Sequence, residues 1–152
     1  MKKRSILIVL LILAFSSFSL SQDMCKTVEM GVRDVYNIFS SNDLSKLNMY
    51  IEEDFLDHTP VEGQEPGLNG FMKCLEKRQL SYTDLKFTIK EIVVSPDGRK
   101  ASVLFNLTGT YAGDNKDKNS KIDVIGIDFL LFSDKYKAKE RWGYFQAEDM
   151  IK

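Results

Sequence analysis

Helical periodicity in the first half of the chain, and four long β-forming stretches joined by turn signals in the second, predict an α+β domain. Its expected form is three N-terminal helices packed on a strongly curved four-stranded antiparallel sheet. Strands of ten or more residues must curl. A curled sheet laid over helices encloses a cone whose open end can hold a pocket.

Met1–Gln22 precedes that domain. Lys2, Lys3 and Arg4 are followed by an almost wholly apolar Ile6–Phe15, and Ser16–Gln22 is small and polar. A charged start, an apolar middle and a small-residue exit are the layout of a secretory signal peptide. The apolar run is shorter than the roughly 18 residues of a spanning helix. We expect a signal peptide over residues 1–22, cleaved near Ser21 or Gln22, a domain over 23–152, and a periplasmic or secreted location with no membrane attachment after cleavage. An uncleaved anchor is the rival reading. Gln22, Asp23 and Met24 are not the small residues that lipidation of Cys25 would need.

The elements follow in order. Val28, Val32, Val35 and Phe39 recur at steps of four, three and four, so Asp23–Ser40 reads as one amphipathic helix, with Tyr36 and Ile38 widening its face and Asp23 as a cap. Ser41-Asn42 ends it. Asp43 can cap a shorter helix over Leu44–Tyr50, with Leu47, Tyr50 and Ile51 inward. Glu52–Asn69 holds two prolines, two glycines and the only histidine, and reads as a long ordered loop of the kind that often carries function. A third helix spans about Gly70–Gln79, with Phe71, Met72 and Leu75 inward. Thr83–Ser95 is the first strand, in which Leu85, Phe87, Ile89, Glu91 and Val93 alternate with Lys86, Thr88 and Lys90. Pro96-Asp97-Gly98 turns the chain. Lys100–Tyr111 follows, with Val103, Phe105 and Leu107 on one face. A polar loop over Ala112–Ser120 leads to Ile122–Phe132, and a tight turn at Ser133-Asp134-Lys135 leads to Tyr136–Phe145.

Composition narrows the partners. Cleavage would remove Lys2, Lys3 and Arg4 from 21 basic residues and leave all 22 acidic ones, a net charge near −4. A mildly acidic domain argues against nucleic acid, whose phosphates need a basic patch. Ten Phe, six Tyr and one Trp suffice for a core. Cys25 and Cys74 read either as a disulfide or as two packed thiols. One histidine among scattered carboxylates does not make a zinc site, and no cofactor is expected. Asp114–Asn119 lacks the spacing, glycine and closing glutamate of a calcium loop.

Asp128 is the first candidate for chemistry, because it interrupts a long apolar strand. A buried carboxylate needs a partner or a proton. It is therefore either a structural hydrogen-bond partner or a functional acid/base. Arg141 can come near it across the tight turn, as a salt bridge or as a clamp for a ligand carboxylate. His58, beside Asp57 and near Asp54, is a usable base near neutrality or a loop histidine bonded to backbone. Trp142 and Tyr144 alternate with Arg141 and so face the opposite way, toward core or partner.

The chain resembles the SnoaL-like group of polyketide-cyclase relatives within the nuclear-transport-factor-2-like superfamily. The resemblance rests on Asp54-Phe55, Asp57-His58, Pro60, Pro66-Gly67, Gly70-Phe71, Tyr82-Thr83-Asp84-Leu85, the run Leu107–Gly113, Gly126-Ile127-Asp128 and Glu140-Arg141-Trp142, in that order. It implies a conical α+β barrel, commonly a homodimer, with a pocket between sheet and helices. It also implies an acid/base aspartate on the last strand, at a position that is Gly143 here. Asp128 matches a polar pocket residue on the preceding strand, and Arg141 replaces the histidine common before the tryptophan.

The reading that results is an exported domain binding a small, largely apolar molecule in its cone. Phe105 and Phe132 would line the pocket, with Asp57, His58, Asp128 and Arg141 as polar points. Whether it is an enzyme stays open. The alternatives are an isomerase, cyclase or hydrolase with Asp128 as acid/base and His58 assisting, or a protein-interaction module using the outer sheet face.

Overall fold

A computed structural model describes residues 22–41, 43–112 and 119–146. The expected signal segment and its cleavage point, Asn42 of the helix break, and most of the calcium-like loop lie outside the described residues. Helix α1 covers residues 22–39. A 3-10 helix, Ser45–Met49, leads into strand β1, Ile51–Asp57; helix α2, Gly67–Ser81, follows. Four further strands follow among the described residues: β2 (Tyr82–Val94), β3 (Lys100–Tyr111), β4 (Lys121–Phe132) and β5 (Ala138–Phe145). They form one sheet in the order β1-β5-β4-β3-β2. β2 to β5 pair antiparallel in sequence order, and β1 runs parallel to β5.

The sheet therefore has five strands, where the sequence reading gave four. Ile51–Asp57 was expected mostly as loop. Ile51 and Phe55 are both in the core, but Glu53 between them, which strict alternation would place on the same face, is exposed across the register irregularity, so the period-two signature of a strand is lost. The expected second helix is only a 3-10 turn, which leaves two α-helices against the sheet. Its Leu47 is fully buried, and Asp43 accepts hydrogen bonds from the Ser45 amide (3.0 Å) and hydroxyl (2.6 Å). Asp23 is inside α1 rather than its cap, with its carbonyl accepting from the Thr27 hydroxyl at 2.9 Å.

β3 and β4 alternate without interruption. In β2 a second bulge, between Ile89 and Glu91, reverses the facing, so Ile92 and Val94 pack inward while Val93 is exposed. Bulges bend the strand that carries them and add to the sheet's curl. The cone is filled mainly by aromatic rings. Tyr36 of α1 packs its ring edge against Phe105 and Phe87, with centroids 5.2 and 6.2 Å away. Phe39 meets Phe71 of α2. Each buried Phe contributes about 1.5–3 kcal/mol relative to exposure. Gly126 permits this filling, because a Cβ there would stand 2.4 Å from the Phe105 ring.

Candidate functional site

Asp128 is opposite Gly143 in the β4–β5 ladder, and Arg141 is two residues before Gly143 on the same inward face. The guanidinium lies over the bare Gly143 backbone. Its Nε donates to Asp128 Oδ1 at 2.9 Å, its Nη2 is ion-paired with the same oxygen at 2.8 Å, and its Nη1 donates to Asp57 Oδ2 at 3.1 Å. The Tyr36 hydroxyl donates to Asp128 Oδ2. Both Asp128 oxygens are thus engaged, one from the sheet and one from α1. Asp57 is held as firmly. Its Oδ1 accepts from the Thr59 amide at 3.0 Å, and its Oδ2 accepts from Gln64 at 3.2 Å. The Gly143 amide donates to Thr59 Oγ1 at 2.7 Å, which ties β5 to the end of β1. The Asp57 and Asp128 side chains are only 4% exposed.

The electrostatics follow from this crowding. Burial pulls the Arg141 pKa down, but the Asp128 and Asp57 charges outweigh it and the net direction is up. Burial, then the Asp128 charge, push Tyr36 well above its ordinary value, so it serves as a neutral donor. Arg78, on the last turn of α2, is pulled down by burial first and by the Arg141 charge second.

Two adjacent cavities share Phe39, Phe71, Asp128 and Arg141 in their walls. The smaller one, walled by Tyr36, Phe55 and Phe132, measures about 30 Å³, room for about one water. The larger, about 140 Å³, is bounded by Thr59, Cys74, Arg78, Phe105 and Gly143.

The structure thus brings Asp57, Asp128 and Arg141 together, with Phe105 on the larger cavity and Phe132 on the smaller. His58 is elsewhere. It stacks flat on Trp142, centroids 3.9 Å apart and planes at 4°, with Nε2 2.9 Å from Glu140 Oε2. It lines neither cavity, and no hydrogen bond joins it to Asp128. The His58 hydrogen bond is the first cause that lowers the Glu140 pKa. Sequence reasoning named Tyr36 only as a helix-face residue and Cys74 only as a thiol, and did not single out Thr59, Gln64 or Arg78. A signal existed for Arg78: Phe71, Leu75 and Arg78 are spaced four and three, which puts a cation on the buried stripe of α2. Cys25 and Cys74 are both free thiols, with Cys25 donating to the Ser95 carbonyl at 3.2 Å. Among the described residues no group of three or more His, Cys, Asp or Glu is placed to hold a metal.

A family model described as SnoaL-like polyketide cyclase matches residues 30–151. No curated protein matches. Several solved structures share the fold. TsrD from Streptomyces laurentii is 18% identical with a TM-score of 0.72, over 82% of this chain and 92% of that one. A putative polyketide cyclase from Bacillus cereus ATCC 10987 is 23% identical with a TM-score of 0.66, over 78% and 74%. AclR, a putative hydroxylase from Streptomyces galilaeus, is 16% identical with a TM-score of 0.69, over 84% and 94%. At these identities the likeness is one of fold.

Proposed function

We propose, from the premise that this chain belongs to the SnoaL-like polyketide cyclase family, that it binds one small, largely apolar molecule in the larger cavity and holds it without chemical change. One observation carries this reading: both oxygens of Asp128 are occupied, by Tyr36 and by Arg141. Proton transfer by Asp128 would first have to break one of those bonds inside the core. At Gly143, where the family resemblance puts the cyclase acid, the space for a side chain is taken by the Arg141 guanidinium. Binding can be followed by NMR with ring-sized fragments, using shifts of residues beside Phe105 and Cys74. Wild type and Asp128→Asn are then compared for affinity and, by mass spectrometry, for product. A binder shows changed affinity and no product. Product from wild type alone would replace this reading with the enzyme reading.

We further propose a homodimer joined through the outer sheet face. Ile127 is directly opposite Tyr144, and Phe129 opposite Trp142, in the β4–β5 ladder. Ile125, Ile127, Phe129 and Tyr144 are 51%, 46%, 39% and 60% exposed, a contiguous apolar stripe that favours a partner. Sedimentation should give a dimer that Ile127→Glu converts to monomer. A wild-type monomer would favour use of this face by a different protein. Export rests on the pattern of residues 1–22, and N-terminal sequencing of the mature protein tests it.

A further inference from the structure

Among the described residues, Arg78 is the one charged group on the larger cavity without a hydrogen-bond or ion-pair partner. Arg141 has two carboxylates, and Asp57 and Asp128 each have several donors. Among the described residues Arg78 makes no side-chain hydrogen bond or ion pair; its Cζ is 5.4 Å from the Phe145 ring centroid, and the Asp128 and Arg141 charges reach it only at longer range. No described carboxylate lies within ion-pair distance of it. Arg78 is half-buried, so its five N–H donors, set in a fixed fork, stay within reach of an incoming acceptor. The nearby carboxylates do not move to satisfy it, because Tyr36, Thr59, Gln64 and Arg141 already fix them.

The cavity beside Arg78 measures about 140 Å³ and has Phe87, Phe105 and Phe145 in its walls. An apolar cavity of about 150 Å³ accommodates a benzene ring. The volume and the walls thus fit one ring, and the guanidinium fits one carboxylate, which it can bind in bidentate fashion. We infer that the ligand is a ring-sized monocarboxylic acid, its carboxylate on Arg78 and its ring against the phenylalanines. This inference rests on the binding reading above and narrows it to a chemical class.

Calorimetric titration of the protein with benzoate and with benzyl alcohol tests it, using wild type, Arg78→Met and Arg78→Lys. Wild type should prefer benzoate by about ten- to a hundredfold, the range of a hydrogen bond to a charged group. Arg78→Met should erase the preference, with benzoate binding weakened far more than benzyl alcohol binding. Arg78→Lys, which keeps the charge and loses the fork, should retain part of it. If Arg78→Met does not fold, an undiminished preference in Arg78→Lys overturns the bidentate contact. Equal binding of the two compounds to wild type, or a preference that survives Arg78→Met, overturns the carboxylate inference and leaves the binding reading standing. Binding of neither compound to wild type overturns both.

Discussion

Gly143→Ala is expected to destabilise the protein, reversing the usual sign of that change. Where the backbone tolerates a side chain, Gly→Ala gains about 0.4–1 kcal/mol by restricting the unfolded chain. At residue 143 a Cβ would stand 2.0 Å from Arg141 Nη2, 2.4 Å from its Cζ and 2.7 Å from Asp128 Oδ1. The guanidinium must withdraw, and it is anchored to Asp128 at 2.8 and 2.9 Å and to Asp57 at 3.1 Å. Breaking a buried ion pair costs about 3–5 kcal/mol. Retreat toward Asp57 would preserve part of the interaction, so the expected loss is about 2–4 kcal/mol. For a domain of this size that lowers Tm by about 6–15 °C. Urea unfolding followed by the fluorescence of the single tryptophan, Trp142, measures it. An Arg141→Met background removes the two closest contacts, so there Gly143→Ala should cost less than about 1 kcal/mol, a coupling of at least about 1 kcal/mol. A neutral or stabilising Gly143→Ala in wild type, or the same cost in both backgrounds, would refute the claim that the arginine occupies the place of a side chain at 143.

Three further outcomes are expected. His58 lowers the Glu140 pKa, so the folded state binds fewer protons than the unfolded one; stability present above about pH 4.5 is lost as pH falls through the lowered value. Glu140→Gln should flatten that acid limb of the urea midpoint against pH, and superimposable limbs would exclude the coupling. Tyr36 is raised by burial and then by Asp128, so above about pH 10 the unfolded chain releases a proton that the folded one keeps, and stability falls. The absorbance of ionised tyrosine should show one residue titrating only with unfolding in wild type and none in Tyr36→Phe. Leu47→Ala, at a fully buried site, should cost about 2–5 kcal/mol by calorimetry, and a loss below about 1 kcal/mol would mean the 3-10 turn is not part of the core.

The most readable parts of the sequence were those where local physics decides. β3 was expected over Lys100–Tyr111 and has those bounds, because Ala101, Val103, Phe105 and Leu107 alternate strictly inward. Asp128 stood out because a carboxylate in an apolar strand demands partners, and it has them. Tyr36 did not, since a tyrosine on an apolar helix face looks like any other core residue until Asp128 is opposite its hydroxyl. The misplacement of His58 follows from the missed strand. With Ile51–Asp57 recognised as β1, alternation sends Asp57 inward and its successor outward, where Trp142 and Glu140 wait. β1 itself was hidden because its bulge breaks the period and its partner strand is far away in sequence.

That distance has a consequence for how the chain matures. The Asp57–Arg141 bond joins residues 84 positions apart, and among the described residues β5 is the sole strand with which β1 pairs. A nascent chain leaving the ribosome therefore carries Ile51–Asp57 as an unclaimed ribbon until nearly all of the domain has been made. Closing so long a loop costs entropy before the pairing repays it, and non-local pairings of this kind slow folding. Loss of the last strand would leave β1 open to pairing with another chain, and truncation at this end turns a folding problem into an aggregation problem.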